Sequence, residues 1–352
     1  MEDGQMADAH IESNESILAV YDKALSMIKF IVADNCTTNR SVATKLDVPL
    51  IGCVSYRFNL AMVRFLSDSE NLINMIQRLM ASLRQPNNAA PLALHTALLP
   101  EKANATRWSS VWKMVHKYVR IRDAAKHAPA VEELLPRLSD HRRILVLHDK
   151  LKELQSVYEK LQLYKRTLGE VRALFDACMA KYPVMEEYLK PTAKIVHSPT
   201  FEAAVIKVTS SLPVTSAEAK TLEPFRRPER FGQSEDEPAA DCASEILCRA
   251  KKPRQSQRRA VDYIPLLGAI PPTSNRCERS FSECKYVLES HPASMRSANF
   301  ERLMFLKANR DLWNASTLCR DLAVELGRNN TLNIAASWII VCLVTSLFIT
   351  GV

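Results

Sequence analysis

Hydrophobic positions in the opening part of the chain switch between two periods. Ile11, Ile17, Leu18, Tyr21 and Leu25 recur at helical spacing, which predicts an amphipathic helix over residues 7–26. Residues 28–33 (IKFIVA) form a short β-branched and aromatic run closed by Asp34 and Asn35, which reads as a buried strand ending in a polar loop. A second helix is expected over residues 37–46 and a second buried strand over residues 49–54 (PLIGCV). Two parallel strands with a helical crossover are a piece of an α/β sheet. Two strands cannot bury a core alone, so further strands or covering helices must complete it.

From Asn59 onward the pattern is helical. Leu60, Val63, Leu66, Leu72, Ile76, Leu79 and Leu83 predict one long helix ending near Gln85 and Pro86. A second helix is expected over residues 108–125. A third is expected over residues 147–175, where Leu147, Leu151, Leu154, Tyr158, Leu161, Leu168 and Phe175 fall at heptad-like spacing, interrupted at Lys165 and Arg172. This reads as a helical-bundle seam, with a free-standing coiled coil as the alternative. Neither period survives in residues 224–259, which hold an acidic stretch and then the basic residues Lys251, Lys252, Arg254, Arg258 and Arg259. That is the pattern of a charged, disordered linker.

Helical order is expected again over residues 260–267 and after Ser274. Pro271 and Pro272 stop one element, and Thr273 or Ser274 can cap the next. In that helix Cys277, Phe281, Cys284 and Leu288 share a face, with Glu278 in the first turn, and a further amphipathic helix carries Phe300, Leu303, Met304, Leu306 and Leu312. The stretch IAASWIIVCLVTSLFITGV, opening at Ile334 and closing at Val352, has no charged side chain and is long enough to span a bilayer core as a helix. Trp338 and Arg328 suit its boundary.

Composition narrows the classes of function. Apolar residues make up 47% of the 352 and charged residues 24%, the mix of an ordinary globular protein. Seven glycines are few for this length, which argues against a nucleotide-binding α/β enzyme with phosphate-cradling loops and for a helix-rich chain. A net charge of +8 allows an anionic partner. None of the nine cysteines forms a C-x-x-C pair, so a zinc ribbon is not supported. The odd count, without a signal peptide, fits reduced thiols in the nucleus or cytoplasm, with a membrane location through the apolar tail as the alternative.

The segment IPLLGAIPPTSNRCERSFSECKYVLESHPASMRSANFERLMFLKANRDLW, from Ile264 to Trp313, carries the most specific motif. It resembles the C-terminal dimerisation region of the hAT superfamily of transposases: a proline-rich opening, S-x-x-CER-x-FS, then E-x-L-x-FL-x-x-N-x-x-LW. Earlier segments resemble the family in its own order. The residues from Asp34 to Asn39 are similar to its D-N-A-S-N segment. Those from Cys53 to Leu60 are similar to C-x-x-H-x-x-N-L, and Thr106, Arg107, Trp108 and Ser110 to T-R-W-x-S. Together the resemblance covers the chain from Glu2 to Trp313.

The resemblance implies a mainly α fold with a partial ribonuclease H-like α/β core and a large helical insertion. Its expected parts are a truncated α/β segment (residues 1–58), the helical insertion (59–223), the charged linker (224–259), the dimerisation region (260–318) and the apolar tail (329–352). It also implies two-metal phosphodiester chemistry, in which three carboxylates hold Mg²⁺ or Mn²⁺. Asp34 would be the second carboxylate and Glu278 the third. The first belongs on an opening strand upstream of a meander that this chain is expected to lack, and Asp3 has no strand pattern around it. Losing one member of such a cooperating set lowers the rate by orders of magnitude.

The expectation is therefore a transposase-derived protein without nuclease activity, acting through dimerisation with itself or a related chain and binding DNA weakly. The alternatives are a residually active metal-dependent transposase or nuclease and a tail-anchored membrane protein. Expected dimerisation residues are Phe281, Leu288, Phe300, Leu303, Met304, Phe305, Leu306, Leu312 and Trp313. Expected DNA contacts are Arg107, Trp108 and the basic residues from Lys251 to Arg259. Each site residue also has a plain structural reading. Asp34 would cap the second helix, Glu278 would answer a helix dipole, and Cys53 and Trp108 would be core residues. Tyr56 stands where the family has His and cannot act as a neutral imidazole ligand.

Overall fold

The computed structural model describes residues 2–104, 108–163, 166–227, 263–290, 296–308 and Arg310. Its first elements are α1 (Glu2–Val20), β1 (Ile31–Ala33), α2 (Thr37–Lys45) and β2 (Leu50–Gly52). A helical series follows: α3 (Val54–Leu66), α4 (Glu70–Leu83), α5 (Pro86–Ala93), α6 (Trp108–Ala125), α7 (Leu138–Leu161), α8 (Leu168–Lys181) and α9 (Glu186–Leu189). Next come α10 (Pro199–Thr209) and α11 (Ser216–Thr221), then α12 (Asn275–Ser290) and α13 (Ser297–Ala308). The described chain is mainly helical, with one small parallel sheet.

β1 and β2 pair in parallel with Ile31 opposite Leu50 and Ala33 opposite Gly52, and α2 makes the crossover. Alternation along the strands sends successive side chains to opposite faces. Ile31, Ala33 and Leu50 join Ala7 and Leu18 of α1 and Val42 and Ala43 of α2. Phe30, Val32 and Ile51 join Phe201, Ala204 and Val205 of α10, with Leu222, Phe225, Leu267 and Ile270. Helices, rather than further strands, thus cover both faces among the described residues. The cover on the second face comes from far along the chain.

A second, larger core lies among α3 to α9. Phe58 is its aromatic centre, with ring centroids 5.9 Å from Trp108, 6.2 Å from Tyr158 and 6.4 Å from Phe175. Leu147, Leu151, Leu154 and Leu161 of α7 are all buried in this cluster, so the heptad-like run is a bundle seam.

Two expected helices are broken. The helix expected from Leu60 to Leu83 is α3 and α4, joined by a 3₁₀ turn at Ser67–Ser69. There Ser67 Oγ donates to the Arg64 carbonyl at 2.8 Å and accepts from the Arg64 guanidinium at 3.0 Å, side-chain bonding that competes with helix continuation. The run over residues 147–175 is α7, starting earlier, and α8. A capping box in which Thr167 and Glu170 bond reciprocally starts α8. The spacing Thr167-x-x-Glu170 was a readable start signal.

Packing also divides the chain differently from a boundary after residue 223. α10 joins the sheet cluster while also packing on α8, and α11 packs on α10. The linker expected from residue 224 is anchored at its start, because Phe225 is fully buried with its ring centroid 5.4 Å from Phe201 and 6.4 Å from Phe30. Arg226 bridges antiparallel to Tyr263. The described part of the helix expected over residues 260–267 is a 3₁₀ turn, Pro265–Ala269, opened by a proline that has no amide to donate.

Candidate functional site at the end of the sheet

Asp34 leaves β1 at its C-terminal end, the end of a parallel sheet where ligands usually bind. Its Oδ1 accepts from Asn39 Nδ2 at 2.7 Å and from the Cys36 amide at 3.4 Å. Asp34 does not cap α2: the cap is Cys36, whose Sγ accepts from the Asn39 amide at 3.5 Å. Asp34 instead orients Asn39, which is buried in the first turn. Burial is the main cause that pushes the Cys36 thiol upward, and the neighbouring Asp34 adds to it.

The next residue explains a glycine. Asn35 Nδ2 donates to the Ile195 carbonyl at 2.6 Å, and its side chain lies close to Gly52 at the end of β2. A Cβ built on Gly52 would sit 2.4 Å from Asn35 Oδ1. Only glycine admits this approach without displacing the loop.

Glu278 arrives from the other end of the chain. The amide of Val54, just past β2, donates to the Pro272 carbonyl at 3.0 Å, and Asn275 Nδ2 donates to Ser55 Oγ at 3.1 Å. α12 starts at Asn275, and the Glu278 amide reaches the Ser274 carbonyl at 3.3 Å. The Cys53 amide meanwhile donates to the Ala33 carbonyl at 2.8 Å, closing the ladder. Asp34 and the first turn of α12 therefore stand at the same end of the sheet, with Glu278 exposed.

This arrangement supplies two carboxylates. Among the described residues no group of three or more His, Cys, Asp or Glu is placed to hold a metal ion. Asp34 Oδ1 already accepts from Asn39 and from the Cys36 amide. Cys53 is buried and Tyr56 is 43% exposed, so the pair occupies two different environments on the first turn of α3.

Trp108 belongs to the core, at 3% exposure. Its backbone amide donates to Asn59 Oδ1 at 3.3 Å, and its ring meets Phe58 and Tyr158 edge-on. The indole Nε1 is buried with no hydrogen-bond partner among the described residues. The ring is thus enclosed by the helical core in this structure.

The pair that sequence reasoning missed is Arg57 with Glu202. Arg57 is 3% exposed and donates to the carbonyls of Tyr188, Leu189 and Lys190 at 3.2–3.4 Å. It also reaches Glu202 Oε2 at 3.4 Å, and its guanidinium lies 5.4 Å from the Phe175 ring centroid. Burial is the largest influence on each partner: it draws Arg57 down and pushes Glu202 up, with their mutual attraction opposing. An arginine inside the apolar run VSYRFNL was a weak signal for it, and nothing marked Glu202.

On the C-terminal helices Phe281 and Cys284 are half-buried, but the inward position of the next turn belongs to Val287, and Leu288 is 51% exposed. Phe300, Leu303, Met304 and Leu306 are half-buried and Phe305 is 36% exposed. α13 packs on α12. Arg107, Lys251, Lys252, Arg254, Arg258, Arg259, Leu312, Trp313 and residues 334–352 lie outside the described residues. No described helix is long and apolar enough to cross a membrane. Comparison of the chain with protein-family models, with curated proteins and with solved structures returned no match.

Proposed function

We propose that this chain derives from a hAT-type transposase and works by associating with a second copy of itself or a related chain, without nuclease chemistry of its own. The observation that carries the reading is the docking of α12 on the exit from β2 through Val54–Pro272 and Asn275–Ser55. It sets the helix bearing Glu278 beside the strand end bearing Asp34, an order that suits a ribonuclease H-like core remnant. Leu288, an exposed apolar side chain on α12, is a position through which association is proposed to run.

Sedimentation velocity over a concentration series tests this. The expected result is a reversible dimer that the double variant Leu288→Asp, Phe305→Asp converts to monomer. A wild-type chain that stays monomeric throughout, with no related chain binding it, overturns the reading. Weak, sequence-independent DNA binding is the second part of the proposal and rests on the net charge of +8. Absence of a gel shift at low salt removes it.

The shared position of Asp34 and α12 favours one rival, a metal-dependent nuclease. It demands plasmid nicking in Mn²⁺ that disappears in both Asp34→Ala and Glu278→Ala. A tail-anchored protein is the other rival, and carbonate extraction separates it from a chain free in the nucleus or cytoplasm.

A further inference from the structure

Two histidines on neighbouring helices form a unit that the proposed function does not use. His116 of α6 places Nδ1 3.1 Å from Nε2 of His148 of α7. The two rings are within 13° of parallel and their centroids are 5.4 Å apart. That separation leaves the N···N line no room to bend. The rings must lie edge to edge, each nitrogen pointing straight at the other. Imidazole lone pairs meeting head-on at this distance suit one shared proton. They do not suit chelation of a tetrahedral metal, which needs the two lone pairs to converge at an angle.

Trp112, one turn before His116, lies across the junction with its ring centroid 5.0 Å from His116 and 5.2 Å from His148. An aromatic face attracts a cation, so it favours one positive charge on the pair. On the far side His148 Nδ1 lies 3.4 Å from Asp149 Oδ1. A carboxylate there holds a proton on Nδ1 and leaves Nε2 as the acceptor, so His116 Nδ1 donates across the seam. Charging both rings together meets opposition: burial already disfavours charge on His116, and a positive charge on His148 disfavours it further, as do Arg120 and Lys117, while Glu101 favours it.

We propose that His116 and His148 are a single titrating latch on the α6–α7 seam, which holds one added proton and is opened by the second. The first added proton leaves an imidazolium N–H donating to a neutral ring, a charge-assisted bond stronger than the neutral one. The second places N–H against N–H and two positive charges across the same gap. The seam it would loosen buries Ile144, Leu147 and Leu151 of α7 and Met114, Tyr118 and Ile121 of α6. Coupling of this kind makes the pair titrate in two macroscopic steps.

The test is ring NMR of the full chain, labelled at histidine, titrated from neutral to acid pH, with amide hydrogen exchange followed in parallel. The expected result is two steps for His116 and His148, separated by more than about one pH unit. Below the lower step exchange in α6 and α7 should rise several-fold. In His148→Gln, His116 should show one step, and the acid-dependent rise in exchange should be lost. Trp112→Leu keeps both imidazoles and serves if His148→Gln fails to fold: it should retain two steps, with the upper one moved to lower pH. Identical titration of His116 in wild type and His148→Gln, or a single step in Trp112→Leu, overturns the proposal. So does exchange that rises equally in wild type and His148→Gln.

Discussion

Asn275 and Ser55 are separated by 220 residues of chain, yet the side-chain amide of the first donates to the hydroxyl of the second at 3.1 Å. The contact lies one turn before Glu278 and directly beyond β2, and it ties the C-terminal helices to the sheet. Removing it with Asn275→Ala should lower stability by about 1 kcal/mol, the usual net worth of one such bond. It should also raise hydrogen exchange in α12 more than in α4. Urea unfolding and exchange mass spectrometry check both. Equal exchange in the two helices would show that α12 is held by other means.

Gly52 offers a sharper steric test. A methyl group there meets the Asn35 side chain at 2.4 Å, and Asn35 is held in place by its bond to the Ile195 carbonyl. Gly52→Ala should destabilise by about 1–3 kcal/mol, as overpacking does. Adding Asn35→Gly should recover part of the loss, because the obstructing atoms are then gone. Denaturation midpoints of the two variants decide it.

Arg57 and Glu202 test the balance between attraction and desolvation. Glu202→Ala strands a guanidinium that is 3% exposed, and breaking a buried pair in this way costs about 3–5 kcal/mol. The double variant Arg57→Met, Glu202→Leu should be markedly more stable than Glu202→Ala alone, since no buried charge is left. If the double variant is no better, the backbone carbonyls of Tyr188, Leu189 and Lys190 are the interactions that matter, rather than the ion pair.

Acid should weaken the fold before the exposed carboxylates titrate. His10, His141 and His197 are all drawn below the ordinary imidazole value, with burial the largest cause for each. The unfolded chain therefore takes up protons at these sites before the folded chain does. Their contribution is fully present above about pH 6.5 and is lost as pH falls through that value toward the lower folded ones. Urea midpoints should fall between pH 7.5 and 5.5. A flat profile over that window would contradict the burial of these rings. The carboxylates drawn downward by lysine and backbone partners, exposed Glu153 and Glu170 and buried Glu218 among them, lose their contribution only at more acid pH.

Local pattern by itself determined the short parallel unit, the predominance of helix, and the positions of α2 and α6, because these follow from period and from breakers within a few residues. The Thr167-x-x-Glu170 spacing of the capping box is likewise a local signal. What local pattern could not determine was which distant residues meet. Phe225 looked like linker until Phe30 and Phe201 were found around it, and Trp108 looked available until Phe58 and Tyr158 closed over it. Arg57, Glu202 and the head-on rings of His116 and His148 are likewise products of helices brought together from different parts of the chain. Burial and hydrogen bonding are properties of that assembly. The residues of Asp34 and Glu278 were legible in sequence, whereas their standing at one end of the sheet was decided only by the fold.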